Sequence, residues 1–509
     1  MQNGENTGSG SPAAIPPLCE RKIVLLLCVL AAIHVFVFSA AFPFFNNVDE
    51  AIHFDVILKY SQGHFPHGRE RISADSARYL ALMNSHAYLW RPANFPAGRL
   101  PPPAWTQPAG KAQPDLALRS ANWQTQENYE ISQPPLYYTL AGIWWNVGRV
   151  IGLHDGRLVY WLRFLNIIIV ATLVYLAHHA AKMIFPENSF VRLGAPALLA
   201  FMPQTAFYSL NDDIASALGF TVTFICLIKW LSSEKASGLL AAATGMAFAA
   251  TYFAKVTNLP LLVIAVGVVL VKTAHSFQCG KGNASLPALI AFLFCAELPI
   301  IPSMIWCKLH FGDLTGTIIK TSFLGLTIKP FGQWWHHPIF TPQGFWSYLS
   351  DQLSSFWQGE FWWHDQPMAL PGSVIIYTLF SLALLAAAIP ALLPRFSPAP
   401  TPQRHSLQLC ACCVAIGLIF YALLSIIYDY HNCPSPSRAH PYFVAGRLRI
   451  GALVPFLLLV ACGLDRLLNR LGNSAKFLAL TTIIAVMLVS EIATDWPAFS
   501  NEYNWFHLP

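Results

Sequence analysis

The chain has 509 residues, 55% of them apolar and only 11% charged, with a net charge of +6 and a mean hydropathy of +0.46. Soluble proteins carry roughly 25% charged residues, so this deficit, with repeated apolar runs of about 20 residues, excludes an ordinary soluble domain and specifies an all-α polytopic membrane protein. Ten-residue alternating strands of the outer-membrane barrel type are absent. The positive charge is spread over many loops, which fits membrane orientation and gives no footing for nucleic acid.

In chain order, residues 1–22 read as a disordered cytoplasmic tail rich in Gly, Ser and Pro. Arg21 and Lys22 flank the first apolar run, 23–42, and place the N-terminus inside. That run carries a weak cleavage signal at Ser39-Ala40-Ala41, but its length and the many runs that follow favour a retained helix. A long outer segment, 44–132, comes next. It begins with Asn46-Asn47-Val48-Asp49-Glu50-Ala51-Ile52-His53-Phe54, whose continuation to Tyr60 has helical apolar spacing. Asp49, Glu50 and His53 then share roughly one side. Residues 91–114 are Pro-rich and expected to be irregular.

The stretch 134–151, opening Pro134-Pro135-Leu136-Tyr137-Tyr138, decides the topology. Lying in the outer interface, it leaves eleven spans: 23–42, 158–181, 191–209, 214–230, 238–253, 257–272, 286–307, 372–393, 406–427, 451–464 and 477–494. Inner loops then hold thirteen Lys and Arg, against Lys255, Arg438, Arg447 and Arg449 in the short outer loops. If 134–151 spanned, this bias would reverse, so the positive-inside rule selects the interfacial helix and an outer C-terminal tail, 495–509. The units are a transmembrane module over 23–309, an outer aromatic-rich loop over 310–371 and C-terminal helices over 372–494. Eleven cysteines fall mostly within apolar runs, and the Cys410/Cys413 pair has no matching histidines, so neither a zinc site nor a disulfide framework is indicated.

This topology sends the remaining polar features to one face. Asp212 and Asp213 follow the third helix, Lys255 lies between the fifth and sixth, and Arg447 and Arg449 precede the tenth. An outer carboxylate pair such as Asp49 and Glu50 can act as general base or ligate a divalent cation such as Mg or Mn; no other cofactor is indicated. Lys255, Arg447 and Arg449 can hold a lipid phosphate. His53, Gln133, Tyr137, Trp357, Trp362 and Trp363 are candidates for a groove that takes a sugar and a prenyl chain. Glu297, mid-helix before Pro299 and Pro302, is an intramembrane acid of the kind that marks proton or substrate paths.

Val48-Asp49-Glu50-Ala51-Ile52-His53-Phe54 resembles the start of the first outer loop in a family known as domain of unknown function 2142. Ser355-Phe356-Trp357-Gln358-Gly359-Glu360-Phe361-Trp362-Trp363 and Ala445-Gly446-Arg447-Leu448 resemble its tryptophan stretch and its late Gly-Arg-Tyr motif, with Trp362 in place of Gly and Leu448 in place of Tyr. That family is similar to the GT-C membrane glycosyltransferases, such as protein O-mannosyltransferases and lipid A aminoarabinose transferases. The resemblance implies a GT-C-like fold, with Asp49 as catalytic base and Glu50 beside it. It further implies that Asp212 or Asp213 is a second acidic position and that Lys255 and Arg447 face donor phosphate. The expected activity is transfer of a sugar from a polyprenyl-phosphate donor to an envelope glycan, lipid or protein on the outer face of a bacterial inner membrane. Two alternatives stay open: a transporter or flippase of lipid-linked sugars, and a non-catalytic envelope scaffold.

Overall fold

The computed structural model describes residues 17–85, 90–234, 237–280, 282–364, 366–396 and 400–509, with the backbone alone at residues 17, 282–284, 363 and 366. The described chain is almost entirely helical, with two short antiparallel ribbons joining 327–328 to 428–429 and 362–363 to 366–367. Eleven apolar helices form the bundle: α1 (Pro17–Ala41), α6 (Asp155–Ile184), α7 (Ser189–Ala200), α8 (Asp213–Ser232), α9 (Gly238–Ala254), α10 (Leu259–Gln278), α11 (Gly282–Phe311), α14 (Ser373–Leu392), α15 (Thr401–Ile427), α16 (Leu453–Leu467) and α17 (Asn473–Phe499). Among the described residues nine are long and apolar enough to cross a membrane, while α7 and α9 are shorter.

The remaining helices lie outside the bundle at one end. They are α2 (Glu50–Ser61), α3 (Ala74–Met83), α4 (Ala109–Gln124), α5 (Pro135–Val150), α12 (Thr317–Phe323) and α13 (Pro342–Gln358). Helix α5 occupies the stretch expected in the interface. It buries Tyr137, Tyr138, Ala141 and Trp145 against α2 and exposes Leu140, Ile143, Val147 and Val150.

Several boundaries differ from the sequence reading. Residues 1–16 of the expected tail lie outside the described residues, but 17–22 are the first turns of α1. They are held because Arg192 grips the Glu20 carboxylate through Nε and Nη2, at 2.9 and 2.7 Å. The third span ends at Ala200 instead of 209. Pro203 has no N–H to continue the helix, and Gln204 turns aside to donate to the Phe356 carbonyl at 2.8 Å. The Pro-rich 91–114 segment is not irregular throughout, since α4 starts at Ala109 and carries Pro114. The loop 310–371 is substantially helical. In α13 the Thr341 hydroxyl caps Gly344 and Pro342 opens the first turn. All eleven cysteines are free.

The bundle alternates so that α1, α7, α9, α11, α15 and α17 end where α6, α8, α10, α14 and α16 begin. One buried brace fixes this end. Arg163 of α6 holds Glu50 with two parallel bonds, Nε to Oε1 at 2.8 Å and Nη2 to Oε2 at 2.7 Å. It also donates to the carbonyls of Phe42 and Pro43, at 2.6 and 3.0 Å, and lies over the Phe44 ring. The Leu210 amide completes the Glu50 shell at 2.8 Å. Both side chains are fully buried, so their charge is tolerable only because each is paired and its remaining lone pairs or protons are satisfied. Arg163→Met should therefore cost about 3–5 kcal/mol by stranding the Glu50 charge. The Glu50→Gln/Arg163→Met pair should recover part of the loss. Thermal unfolding in detergent measures both, and an unchanged midpoint in the single variant would deny the brace.

Candidate active site

Asp49 stands at the turn that ends the α1 exit and starts α2. It occupies the left-handed region, with φ 65°, which a short polar side chain accepts more easily than a bulky one. That backbone separates it from its neighbour. Glu50 turns to Arg163, while Asp49 points the other way, so the expected common side for Asp49, Glu50 and His53 holds only for Asp49 and His53. Asp49 Oδ1 accepts from the Tyr129 hydroxyl at 2.8 Å, and Oδ2 faces Arg447 Nη2 and Lys320 Nζ, each at 3.3 Å.

Arg447 joins three acids. Its Nη1 donates to Asp213 Oδ2 at 2.9 Å, Nη2 to Asp49, and Nε to Glu360 Oε2 at 3.3 Å. Its position depends on Gly446, whose α-carbon lies directly against the Ser355–Phe356 backbone where a Cβ would collide. Lys255, at the end of α9, bridges Asp212 and Asp213 at 2.6 Å each. Lys320, on α12, reaches both Asp49 and Glu130, and Gln133 donates to Glu130 Oε2 at 2.5 Å. A hydroxyl–carbonyl bond from Ser132 to Gly316 at 2.7 Å and the stacking of Phe323 on Tyr129 at 4.3 Å hold α12 in place.

Burial disfavours the charge of Asp49, yet Lys320 and Arg447 hold its carboxyl well below the usual range. Burial likewise opposes the charges of Lys255 and Lys320, and the facing acids outweigh it, so both ammoniums stay protonated. Glu360 moves the other way: burial raises its pKa more than Arg447 lowers it. Tyr129 is pushed up by burial and by Asp49 and Glu130, which keeps its hydroxyl a donor.

Five carboxylates (Asp49, Glu130, Asp212, Asp213 and Glu360) thus face three cations. Ligand atoms of Asp49, His53 and Glu130 lie within 4.8 Å of one another. Two carboxylates and an imidazole suit a divalent cation such as Mn, and His53 is oriented by a 2.7 Å hydrogen bond between Nδ1 and the Tyr138 hydroxyl. Two further groups are buried without partners beside this network: the Tyr137 hydroxyl and Asp212 Oδ2. Orphaned buried polar atoms at a charged site mark where a ligand or water completes the bonding.

An aromatic groove of about 380 Å³ opens next to the cluster, between α2, α5, α9 and α11, with Tyr60, Phe65, Tyr252, Phe253 and Trp306 along it. Its lining includes Gln133, bonded to Glu130, and Val256, next to Lys255.

The structure thus brings Asp49, Asp212, Asp213, Lys255 and Arg447 together, with His53, Gln133 and Tyr137 at their edge. It separates others. Glu50 is consumed by the brace. Arg449 turns away, donating to the Gln352 carbonyl at 2.5 Å and lying over Phe356. Trp357 is fully buried, bonded to Ser381 and packed on Tyr377 and Phe456, so it is a packing residue and not a groove wall. Trp362 lines a different cavity, and the side chain of Trp363 lies outside the described residues. Glu297 is half-buried within an unbroken α11, far along the helix from the cluster. Sequence reasoning missed Tyr129, Glu130, Lys320 and the acidic role of Glu360. Glu130 had a signal, standing three residues before Gln133, and Glu360 lies inside the tryptophan motif.

Among solved structures the chain is similar to the oligosaccharyltransferase of Archaeoglobus fulgidus in the apo form, at 11% identity and a TM-score of 0.39, over 94% of this chain and 55% of that one. It is similar to the same enzyme in complex with Zn and sulfate, at 11% and 0.39, over 94% and 52%. It is also similar to ArnT from Cupriavidus metallidurans bound to undecaprenyl phosphate, at 12% and 0.43, over 92% and 64%. The chain spans between about half and two-thirds of the length of these proteins. No curated protein matches it. Residues 32–428 match the family model described as "Predicted membrane protein (DUF2142)". The chain belongs to that family and is a multi-pass membrane protein.

Proposed function

We propose that the protein is a glycosyltransferase of a bacterial inner membrane. It moves a sugar from a polyprenyl-phosphate donor to a hydroxyl of an envelope glycan, lipid or protein on the outer face. The observation that carries this reading is the single network of Asp49, Asp213, Arg447, Lys255 and Lys320, assembled from five separate segments at one end of the bundle, beside an aromatic groove. A prenyl chain fits that groove, and its phosphate would reach Lys255, Lys320 and Arg447.

The resting pairing of these charges supplies the mechanism. Asp49 is a poor base while Arg447 and Lys320 neutralise it. A donor phosphate draws those cations to itself and leaves the Asp49 carboxylate free to take the acceptor proton. The acceptor oxygen then attacks the anomeric carbon, the carbon–oxygen bond to phosphate breaks, and the cations stabilise the departing lipid phosphate. Tyr129 keeps Asp49 oriented, and Asp213 with Asp212 holds Lys255 and Arg447 in place. A divalent cation held by Asp49, His53 and Glu130 would offset the excess of carboxylates. Glu50 serves the scaffold in this scheme, and Glu297 has no part.

Replacing Asp49 by Asn removes the base while keeping the shape. In a strain lacking the native gene, surface glycan made by the variant should fall at least about 100-fold with normal protein abundance. Unchanged glycan, in a background where deletion abolishes it, would remove Asp49 from the chemistry. Arg447→Lys keeps the charge but loses the three-way fork, so glycan should fall nearly as far. The cation site has a readout independent of activity. Mn should raise the melting midpoint of the wild-type protein by mass action and fail to do so in Glu130→Gln. An equal rise in both proteins would place the ion elsewhere.

A further inference from the structure

A second cavity, of about 220 Å³, is lined by Glu360, the third acid held by Arg447, and by neither of Arg447's other two acids. Thr205, Tyr208, Gln358, Trp362, Thr494 and Asp495 are among its lining residues, together with Glu360, Asp351 and Glu491. Among the described residues no Lys or Arg lines it, so it is unsuited to phosphate. Its polar groups are mixed: hydroxyls, an amide and the Glu360 carboxyl, whose pKa burial raises, can donate as well as accept. That mixture suits sugar hydroxyls, which do both, better than an ammonium, which only donates. The exposed Trp362 adds an aromatic edge.

One buried atom points to a missing ligand. Glu491 is 4% exposed, and its Oε2 is bonded to His34 at 2.9 Å. The Tyr208 hydroxyl, which faces both acids, donates to Asp495 at 3.1 Å and leaves Glu491 Oε1 without a partner. A buried acceptor left open on a cavity wall costs stability unless something occupies it.

The cavity has an apolar continuation. Between α14 and α17 runs a groove of about 650 Å³, walled by side chains such as Ile376, Phe380, Ile483, Val486 and Val489. Ser490 lines both spaces and is hydrogen-bonded at 3.1 Å to Tyr377, which lines the groove. Exposed Ile375, Leu379, Val486 and Val489 flank the groove. An apolar trough that shares Ser490 with a hydroxyl-, amide- and carboxyl-lined cavity accommodates an amphiphile with an uncharged head.

We propose that this composite site binds a lipid-anchored sugar, with its chain in the α14/α17 groove and its hydroxylated head between Glu491 and Glu360. Resting on the glycosyltransferase reading, it assigns the acceptor: a glycolipid that enters from the side of the bundle away from the aromatic donor groove and presents its hydroxyl toward Arg447 and Asp49.

The test is photolabelling of the full chain in nanodiscs with a diazirine-tailed alkyl glucoside. Labelling should map to α14 and α17, be competed by unlabelled octyl glucoside, and not be competed by methyl glucoside, octyl phosphate or octylammonium. Ala485→Trp in the groove and Thr494→Phe in the cavity should each reduce it about tenfold. Competition by methyl glucoside at equal concentration would replace the lipid-anchored ligand with a free sugar. Competition by octyl phosphate or octylammonium, labelling spread evenly over the lipid-facing helices, or labelling indifferent to both substitutions would overturn the proposal. Because the readout is occupancy, specific labelling with no loss of glycan in Asp49→Asn would retain the site and reject the transferase, and the reverse result would do the opposite.

Discussion

Everything at the working end of this molecule depends on charge being buried only in company. A carboxylate or guanidinium withdrawn from water costs several kcal/mol unless paired and hydrogen-bonded. Here the two networks at one end of the bundle gather six carboxylates, two guanidiniums and two ammoniums. The protein meets that constraint twice, in different ways. Arg163 and Glu50 are matched to each other and to backbone groups, an arrangement with nothing left to give a substrate. Arg447 shares itself among Asp49, Asp213 and Glu360, two of these contacts at 3.3 Å. The first pairing is closed and rigid. The second is divided among competitors, and a phosphate can enter such a competition.

This contrast explains why adjacent acids have different fates. In sequence Asp49 and Glu50 are nearly equivalent. The left-handed backbone at Asp49 turns one side chain into the α1/α6 packing and the other toward α12 and the 3-10 turn at residues 446–452. No pattern of hydrophobicity or charge encodes that choice, because it follows from which partner each carboxylate meets after the bundle forms.

Other parts of the fold were legible. The apolar runs located the helices, since a membrane helix must bury its own backbone bonds and cover them with apolar side chains. The stretch 134–151 forms a helix of its own, α5, that buries Tyr137, Tyr138 and Trp145 on one face, as its aromatic pattern suggested. Asp49, Asp213, Lys255 and Arg447, each an unexplained charge near a helix end in the sequence, come together in the structure. The misses share a cause. Lys320 and Glu130 sit in long segments where a charged residue looks ordinary, and their convergence depends on the Ser132–Gly316 bond between two loops. Arg449 and Trp357 failed in the other direction. Trp357 lies in one quoted motif and Arg449 directly follows the other, and such a stretch includes residues that hold its backbone as well as those that meet a ligand. Arg449 and Trp357 secure α13, and Gly446 lets the 446–452 turn approach α13 closely enough to aim Arg447.

The motif residues therefore divide along one line. Gly359, with φ 72°, has no room for a side chain against Thr205, so it fixes where α13 stops and where Glu360 begins. Glu360 is then suspended between two spaces: Arg447 and the acidic cluster on one side, the cavity with Glu491 and Asp495 on the other. Its pKa is raised by burial although a guanidinium touches it, so it is the acid of the network whose charge is least secure. A carboxyl poised this way can donate a hydrogen bond to one space or accept from the other. That makes it the point at which occupancy of the cavity would be felt by Arg447, and through Arg447 by Asp49.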